Sequence, residues 1–298
     1  MNFTKIIKYL KSNKKVNYNR YLRKRKILDE LNIIKYSYDL QTGTYLKFLK
    51  KNKKKEQIYT DEIANIINKN FKNLDTFIDC GAGEMNLSYF FINKLLQIKN
   101  FFLFDISLNR VVTGKRFLRK NLEKKNFKKL NFFCSSLDKI PLMDNSVDLV
   151  FTNHAIEPNK KTTEAILKEL YRISRKGLIL CEPDFSTSNP FQKKRMLKNN
   201  YSIDIDQKLK KLKIEFKKIQ LINSININNK TTVFIIKKNI KQKISHFSFV
   251  DPYFKKNIRK FKKNYYSNFL NCLFFSFEDI PLFNFDNPII LSKLRDKI

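Results

Sequence analysis

The chain is poor in the residue types that most often mark metal sites, disulfides and tight turns. Its 298 residues include five glycines, four cysteines, two histidines and no tryptophan. The cysteines have no C-x-x-C spacing and fall in or at the ends of predicted strands, which is typical of small buried side chains in a reducing compartment. They are Cys80, Cys134, Cys181 and Cys272. We therefore expect no disulfide and no bound metal.

Long apolar segments are also absent from the sequence. No stretch approaches the roughly 20 consecutive apolar residues of a membrane span. The first 15 residues are basic and contain no apolar run, so they do not resemble a signal peptide. These features predict a cytoplasmic protein without a membrane span, and they leave the oligomeric state open.

Acidic residues are scarce relative to basic ones. The chain has 27 Asp and Glu and 61 Lys and Arg, which gives a formal net charge of +34. A positive charge of this size is typical of proteins that bind nucleic acid or anionic membranes. The cations are mostly lysines spread along the whole chain, with denser clusters at 20–26 and 50–55. An accompanying excess of Asn, Ile and Phe resembles the codon usage of an AT-rich genome. We favour this compositional bias over a nucleic-acid site, which stays the alternative.

Two of the five glycines, Gly81 and Gly83, lie one residue apart directly after an apolar predicted strand. Glycine allows a backbone to turn tightly or to touch a ligand. An amphipathic pattern then predicts a helix from Asn86 to about Ile98. A strand, a glycine turn and a helix N-terminus together form a cradle for a nucleotide cofactor. Asn86 stands where a dinucleotide fingerprint has its third glycine, so that fingerprint does not match.

A second predicted strand follows and ends in Asp105. A carboxylate at the tip of the second strand of a βαβ unit can accept hydrogen bonds from both ribose hydroxyls. The alternative is that Asp105 only caps the next helix, a role for which Ser107 competes.

These motifs resemble those of the class I S-adenosylmethionine-dependent methyltransferases, over about residues 74 to 238. The first motif of that family matches 77–83, its acidic second motif matches Asp105, and a later run leading into strand four matches 140–151. The resemblance implies S-adenosylmethionine as cofactor. The cofactor-binding residues it implies are Asp79, Gly81, Gly83, Glu84, Asp105, Ile106, Ser136, Leu137 and Asn153. Ser136 replaces an acidic residue usually found beside the adenine, and Asp138 is the alternative there.

The predicted fold class is α/β, with a Rossmann-like, seven-stranded, mostly parallel sheet and helices on both faces. Strands are expected near 74–79, 100–105, 130–135, 147–153, 176–182, 213–223 and 231–237, the last two forming an antiparallel hairpin. An N-terminal helical extension occupies 1–72, the cofactor domain 73–238 and a small module 239–298. Within the extension, Thr60 is expected to cap a helix that starts at Asp61. The polar segment 36–45 either closes over the cofactor or is a plain interhelical loop.

The C-terminal module resembles a small zinc ribbon found with some methyltransferases. Asp251 stands at a position where that module has a cysteine, and Cys272 has no partner cysteine. One cysteine and His246 do not complete four tetrahedral ligands, so we expect this module to have lost its metal.

The loop after strand four carries the candidate catalytic residues, His154 and Glu157. Ligands in open α/β sheets bind beyond the carboxyl ends of the strands, which places this loop beside the cofactor. His154 is the candidate base, and Glu157 either assists it or replaces it, with Glu182 next in order. The alternative is that His154 only packs against the cofactor.

The segment His154–Asn159 and the run around Glu182 resemble bacterial methyltransferases of surface-polysaccharide and sugar biosynthesis. The resemblance implies O-methylation of a sugar or another small-molecule acceptor. An RNA methyltransferase and an inactive methyltransferase-like scaffold stay open as alternatives.

Overall fold

The structure is a computed structural model, and it describes residues 30–226, 228–238, 240, 248–284 and 289–290. The basic cluster at 20–26 and His246 lie outside these residues. The helices are α1 (Glu30–Leu40), α2 (Thr44–Asn70), α3 (Asn86–Lys94), α4 (Leu108–Asn121), α5 (Lys124–Phe127), α6 (Thr163–Ile173), α7 (Pro190–Lys198) and α8 (Ile205–Lys211).

Seven strands form the main sheet, in the order β3-β2-β1-β4-β5-β7-β6. They are β1 (Thr76–Cys80), β2 (Asn100–Asp105), β3 (Leu130–Cys134), β4 (Val147–Asn153), β5 (Ser174–Glu182), β6 (Lys217–Gln220) and β7 (Thr232–Lys237). Strand β7 runs antiparallel to both of its neighbours, while β1 to β5 pair in parallel. The predicted α/β sheet, its strand count and its terminal hairpin are confirmed.

Neighbouring residues of the central strands supply two separate cores, one on each face of the sheet. Successive side chains of a strand point to opposite faces. Phe77 and Phe101 accordingly belong to one buried cluster, whereas Ile78 and Phe102 belong to the other. Helix α6 covers the second face with an apolar stripe at helical spacing, of which Leu170 is the centre. Because both faces are covered, the strands are apolar almost throughout.

A buried carboxylate joins the amino ends of three strands. Asp148 is fully buried and forms an ion pair with Arg175 of β5. It also accepts hydrogen bonds from the backbone N–H groups of Asp75 (2.8 Å) and Thr76 (3.2 Å) at the start of β1. A buried charge is tolerated when it is paired and hydrogen-bonded in this way. Asp148 therefore has a structural role at the edge of the sheet opposite to the carboxyl ends.

Three local predictions differ from the structure. Thr60 does not cap a helix, because it lies inside α2 (Thr44–Asn70), whose kink is at Asn52, and its hydroxyl donates to the carbonyl oxygen of Glu56 in the same helix. The helix predicted to reach Ile98 ends at Lys94, and the strand predicted over 213–223 is confined to Lys217–Gln220. Each error extends or shifts an element boundary that tertiary contacts decide.

The C-terminal module packs against strand β3 of the main sheet. It contains β8 (Arg259–Phe261), β9 (Asn264–Ser267), β10 (Cys272–Phe274), β11 (Ser276–Phe277), β12 (Ile280–Pro281) and β13 (Ile289–Ile290). Phe283 donates its backbone N–H to Cys134 at 2.9 Å, and its ring joins those of Phe133 and Phe249. Asp251 is buried and accepts backbone hydrogen bonds from Tyr253, Phe254 and Lys256, so it shapes a turn.

No helix in the described part of the chain combines the length and the apolar character that a bilayer crossing requires. Within the same residues, no group of three or more His, Cys, Asp or Glu side chains is arranged to hold a metal ion.

Candidate active site

A cavity of about 830 Å³ opens at the carboxyl ends of β1 and β4. Three sets of residues line it. The Gly-turn wall consists of Asp79, Gly81, Ala82, Gly83, Asn86 and Leu87. The helical wall consists of Tyr38, Gln41, Thr44, Tyr45, Phe48, Lys55, Glu56 and Tyr59. The loop wall consists of Phe151, Asn153, His154, Glu157, Arg195, Tyr201, Ile225, Asn226, Asn229 and Thr231.

A second, smaller cavity adjoins the first, with Gly81 and His154 among the residues that line both. It also contains Asp105, Ile106 and Leu137, at the carboxyl ends of β2 and β3. The two cavities together follow the ends of four neighbouring strands. Ligands of open α/β sheets bind at this edge.

The glycine turn needs glycine because of the loop that follows β4. Gly81 has φ +79°, and a Cβ atom added to it would lie 2.6 Å from the Cβ of Ala155. Its missing side chain therefore gives room to the loop that follows β4, and its positive φ agrees with the tight turn expected of a glycine here. The N–H groups of Gly81 and Ala82 both donate to the carbonyl oxygen of Phe104, which fixes the turn to β2.

Two buried carboxylates stand beside the turn. Asp105 accepts hydrogen bonds from the N–H of Gly83 (3.0 Å) and of Ser107 (2.9 Å). The side chain that caps α4 is Ser107, which accepts from the N–H of Arg110, so Asp105 is not the helix cap. Asp79 accepts from the hydroxyl of Ser88 at 2.6 Å. Both carboxylates are thus oriented at the cavity edge, where each oxygen retains capacity for a further donor.

The turn between α1 and α2 covers the glycine turn. Glu84 is fully buried and accepts the N–H groups of Gly43 (2.8 Å) and Leu46 (3.0 Å). The guanidinium of Arg110 lies between the rings of Tyr38 and Tyr45, 4.5 and 4.4 Å from their centres. The segment predicted either to close over the site or to be a plain loop is therefore fastened across the glycine turn. Glu84 acts in this fastening and lines neither cavity.

His154 occupies a strained backbone position at the end of β4. Its φ of +53° lies in the left-handed region, which is uncommon for residues other than glycine and is often found at functional sites. The ring Nε2 lies 2.8 Å from the hydroxyl of Thr231, and Nδ1 lies 3.1 Å from the side-chain amide of Asn229. Glu157 approaches Nδ1 at 3.6 Å. Both ring nitrogens thus have polar partners on the loop wall.

A second buried carboxylate holds this loop from behind. Glu182, at the end of β5, is fully buried and accepts the N–H groups of Ala155 (3.0 Å), Ile156 (3.1 Å) and Glu157 (3.2 Å). Three backbone donors on one carboxylate fix the path of the loop and the direction of the His154 ring. Glu182 therefore orients the loop and does not face either cavity.

The carboxyl groups around the site have unusual proton affinities. Burial raises the pKa of Asp79 to about 7, despite the hydrogen bond from Ser88, and the nearby Asp105 contributes to the rise. Burial likewise raises the pKa of Glu56 and of Glu182 to about 7. For His154, burial lowers the pKa, but the neighbouring Glu157 carboxylate outweighs it, so the pKa is raised above its ordinary value. Three of these groups, Asp79, Glu56 and His154, line the same cavity, and such a cluster of perturbed acids and bases is typical of a functional site.

The structure brings most of the predicted site residues together. Those that line one or both cavities are Asp79, Gly81, Gly83, Asp105, Ile106, Leu137, Asn153, His154 and Glu157. Ser136 and Glu84 line neither cavity. Ser135 and Asp138, which flank the predicted Ser136, line the smaller one.

Several lining residues were not predicted from the sequence. They come from α2, which supplies Phe48, Glu56 and Tyr59, from α7, from Tyr201 and from the turn between β6 and β7. Asn-rich segments are common in this chain, so composition did not distinguish this turn. The Pro190 helix start after Asn189 was a usable signal for α7, because Asn at the N-cap followed by Pro is typical of a helix N-terminus.

Comparison with solved structures finds the same fold at low sequence identity. Magnesium protoporphyrin IX methyltransferase from Synechocystis PCC 6803 superposes with a TM-score of 0.52 at 14% identity, over 71% of this chain and 98% of that one. A SAM-dependent methyltransferase from Aquifex aeolicus gives 0.45 at 16% identity, over 58% and 88%. One from Methanosarcina mazei gives 0.47 at 17% identity, over 59% and 98%.

A search of curated protein sequences found no match. The methyltransferase-domain family, in contrast, matches residues 71–251. This range holds the whole seven-stranded sheet, the glycine turn, Asp105 and the loop of His154. On that match, which covers more than half of the chain, the protein belongs to the methyltransferase-domain family.

Proposed function

We propose that this chain is an S-adenosylmethionine-dependent methyltransferase that methylates a hydroxyl group of a sugar or another small-molecule acceptor. The observation that carries the proposal is the continuous cavity between the glycine turn and the loop of His154. The solved Synechocystis methyltransferase of the same fold was determined with bound SAM. When bound, S-adenosylmethionine supplies an electrophilic methyl group.

The residues present fit this cofactor. Its ammonium and sulfonium groups are cations, and Asp79 and Glu56 are buried carboxyl groups on the cavity wall with pKa values near 7. A cation close to these groups would favour their charged form. Asp105 is the candidate for the ribose hydroxyls. Ser135 or Asp138 replaces Ser136 as the candidate for the adenine amino group, because these two line the smaller cavity.

The loop wall supports a small polar acceptor. Its side chains include the amides of Asn153, Asn226 and Asn229 and the hydroxyls of Tyr201 and Thr231. Amides and hydroxyls suit an acceptor with several hydroxyl groups, since each can donate and accept. The described lining residues carry only two Lys or Arg side chains against three carboxyl groups, which does not favour a groove for an RNA backbone.

His154 is the candidate base for the acceptor hydroxyl. The acceptor must displace Thr231 or Asn229 from one ring nitrogen before His154 can take its proton, because both nitrogens already have partners. Glu157 lies close enough to Nδ1 to stabilise the imidazolium that forms. Alignment of the two reactants in one cavity supplies a further large part of the rate.

Calorimetric titration of the purified protein with S-adenosylmethionine tests the cofactor assignment. We expect a dissociation constant of about 1 μM to 1 mM, and Asp105→Ala should weaken binding by about 1.5–3 kcal/mol. Glu123→Ala, on the exposed surface, is the control. Unchanged affinity in Asp105→Ala would contradict the assignment, and absence of binding would favour an inactive scaffold.

Transfer of a radiolabelled methyl group then tests the acceptor class. Monosaccharides, sugar phosphates, sugar acids and sugar nucleotides form one set of acceptors, and total RNA forms the other. Label in RNA with none in any sugar would support the RNA methyltransferase instead.

A further inference from the structure

Arg195 is held in place on the loop wall by its own helix. It lies on α7, one helical turn after Gln192, so both side chains lie on the same face of the helix. The side-chain amide of Gln192 donates to the carbonyl oxygen of Lys230 at 3.0 Å and accepts the N–H of Lys230 at 3.3 Å. These two bonds fasten α7 to the turn that carries Asn229. The position of Arg195 at the cavity is therefore built into the fold.

The guanidinium of Arg195 lacks the carboxylate partner that Arg172 and Arg175 have. The more deeply buried Arg110 also has no ion pair in the described part of the chain, but its guanidinium lies between two aromatic rings. Arg172 and Arg175 are also largely buried, and each forms ion pairs with Asp or Glu. Within the described residues, Arg195 has no such ion pair, and its Nη1 is buried without a hydrogen-bond partner. Its ring neighbour is Tyr201, 5.2 Å from the guanidinium to the ring centre. A half-buried guanidinium without a counter-ion is unfavourable unless a ligand provides one.

A second cation faces the same cavity from the helical wall. Lys55 lines the cavity and, among the described residues, has no carboxylate within ion-pair distance. Two carboxyl groups of the cavity have hydrogen-bond donors: Glu56 accepts from Asn86, and Asp79 accepts from Ser88. Glu157 lies beside His154 through one oxygen, and its other oxygen is buried without a hydrogen-bond partner. The cations that line the larger cavity, Arg195 and Lys55, thus lie on the loop and helical walls and have no carboxylate within ion-pair distance in the described residues, whereas the Gly-turn wall carries no Lys or Arg.

We propose that the acceptor carries an anionic group, a carboxylate or a phosphate, which the guanidinium of Arg195 binds while the acceptor hydroxyl lies at His154. This inference rests on the proposed methyltransferase function and narrows its acceptor to acidic molecules. A planar guanidinium binds both anion types through paired N–H···O bonds. Lys55 adds charge to the same cavity and attracts the acidic acceptor.

The test measures anion binding to protein saturated with S-adenosylhomocysteine. Inorganic phosphate and malonate are titrated by calorimetry at constant ionic strength, into the wild type and three variants. Arg195→Gln should weaken the preferred anion by about tenfold or more, because charge-assisted paired bonds are lost. Lys194→Gln is the matched control, since Lys194 is the exposed neighbour on the same helix and lines neither cavity. It should stay within about twofold of the wild type, as expected for a screened surface charge.

The two anions separate the two acceptor types: tighter phosphate binding indicates a phosphorylated acceptor, and tighter malonate binding indicates an acceptor acid. Arg195→Lys keeps the positive charge but loses the paired N–H donors of the guanidinium. Its affinity for the anion should therefore lie between those of the wild type and Arg195→Gln. Thermal unfolding midpoints establish that each variant is folded.

Equal weakening in Arg195→Gln and Lys194→Gln, or no anion binding at all, would overturn the inference while leaving S-adenosylhomocysteine binding as evidence for the proposed function. Failure of S-adenosylhomocysteine itself to bind would refute the proposed function and this inference with it.

Discussion

The Gly-turn wall and the loop wall of the cavity are built in different ways. The Gly-turn wall comes from nine consecutive positions, 79–87. Its polar groups are bonded to Asp105 and Ser88 of the sheet domain and to Glu56 of α2. The loop wall gathers residues from 151–157, 195–201 and 225–231. The first is a local motif, which suits a constant partner such as the proposed cofactor. The second is assembled by tertiary structure, so under the proposed function a change in any one of three segments would alter the acceptor site.

Substitution of His154 should have the largest effect on turnover, and it tests whether the two walls have separate tasks. If His154 is the base, His154→Ala should reduce turnover by about 10²–10⁴-fold and leave cofactor affinity nearly intact, because the two walls then have separate tasks. His154→Asn is the better-matched variant, since Asn tolerates a positive φ and keeps a polar side chain. Steady-state kinetics and calorimetry of both variants give the answer.

If His154 only packs against the cofactor, both variants should lose cofactor affinity and keep most of their maximal rate. Normal values for both quantities would remove His154 from the site and leave Glu157 as the next candidate.

The close approach of Gly81 to the loop that follows β4 gives the next largest effect. Gly81→Ala places a Cβ 2.6 Å from that of Ala155 at a positive φ, whereas Gly83→Ala has its nearest neighbours, in the Tyr45 ring, at 3.4 Å. We expect a loss of about 1–2 kcal/mol from the left-handed backbone in each, and about 1–3 kcal/mol more from overpacking in Gly81→Ala. Denaturant unfolding of the pair measures the difference. Equal losses of unfolding free energy in the two variants would mean that the loop shifts to accommodate the added methyl group.

The pH dependence of turnover tests whether the protonation of His154 on the loop wall controls the reaction. Glu157 raises the pKa of His154 above its ordinary value of 6.5, against the effect of burial. A base must be deprotonated, so turnover should rise with pH through that raised pKa. Glu157→Gln removes the carboxylate and should move this rise to lower pH. A rise at the same pH in both proteins would show that His154 does not control it.

Proton release on cofactor binding is the smallest expected effect. Asp79 and Glu56 have pKa values of about 7, so each is about half protonated at pH 7 in the free protein. A bound cation lowers both values, so up to about one proton should leave. Calorimetry in two buffers of different ionisation enthalpy counts it. S-adenosylhomocysteine, which lacks the sulfonium charge, should release fewer protons, and Asp79→Asn should reduce the release for both ligands. Identical heats in both buffers would contradict the assignment.

The sequence predicted the sheet and the Gly-turn wall because their signals are local. Gly81, Gly83 and Asp105 lie within one strand–helix–strand unit, and hydrophobic runs identify the strands around them. Arg195 and Asn229 could not be found in this way, since their role depends on the bonds between α7 and the β6–β7 turn. Glu84 was assigned to the cofactor because it follows the motif, but its partners, Gly43 and Leu46, lie about 40 residues earlier in the chain.

The bonds of Glu84 to the α1–α2 turn have a consequence for how this protein can be cut or recombined. A chain that began after α2 would keep every motif of its family, yet it would leave Glu84 without its two donors and Arg110 without its two aromatic rings. It would also lose one wall of the cavity. The smallest transferable unit is therefore not the sheet domain alone. A chimera that exchanges acceptors by replacing α7 and the β6–β7 turn should retain α1 and α2 from the same parent as the glycine turn.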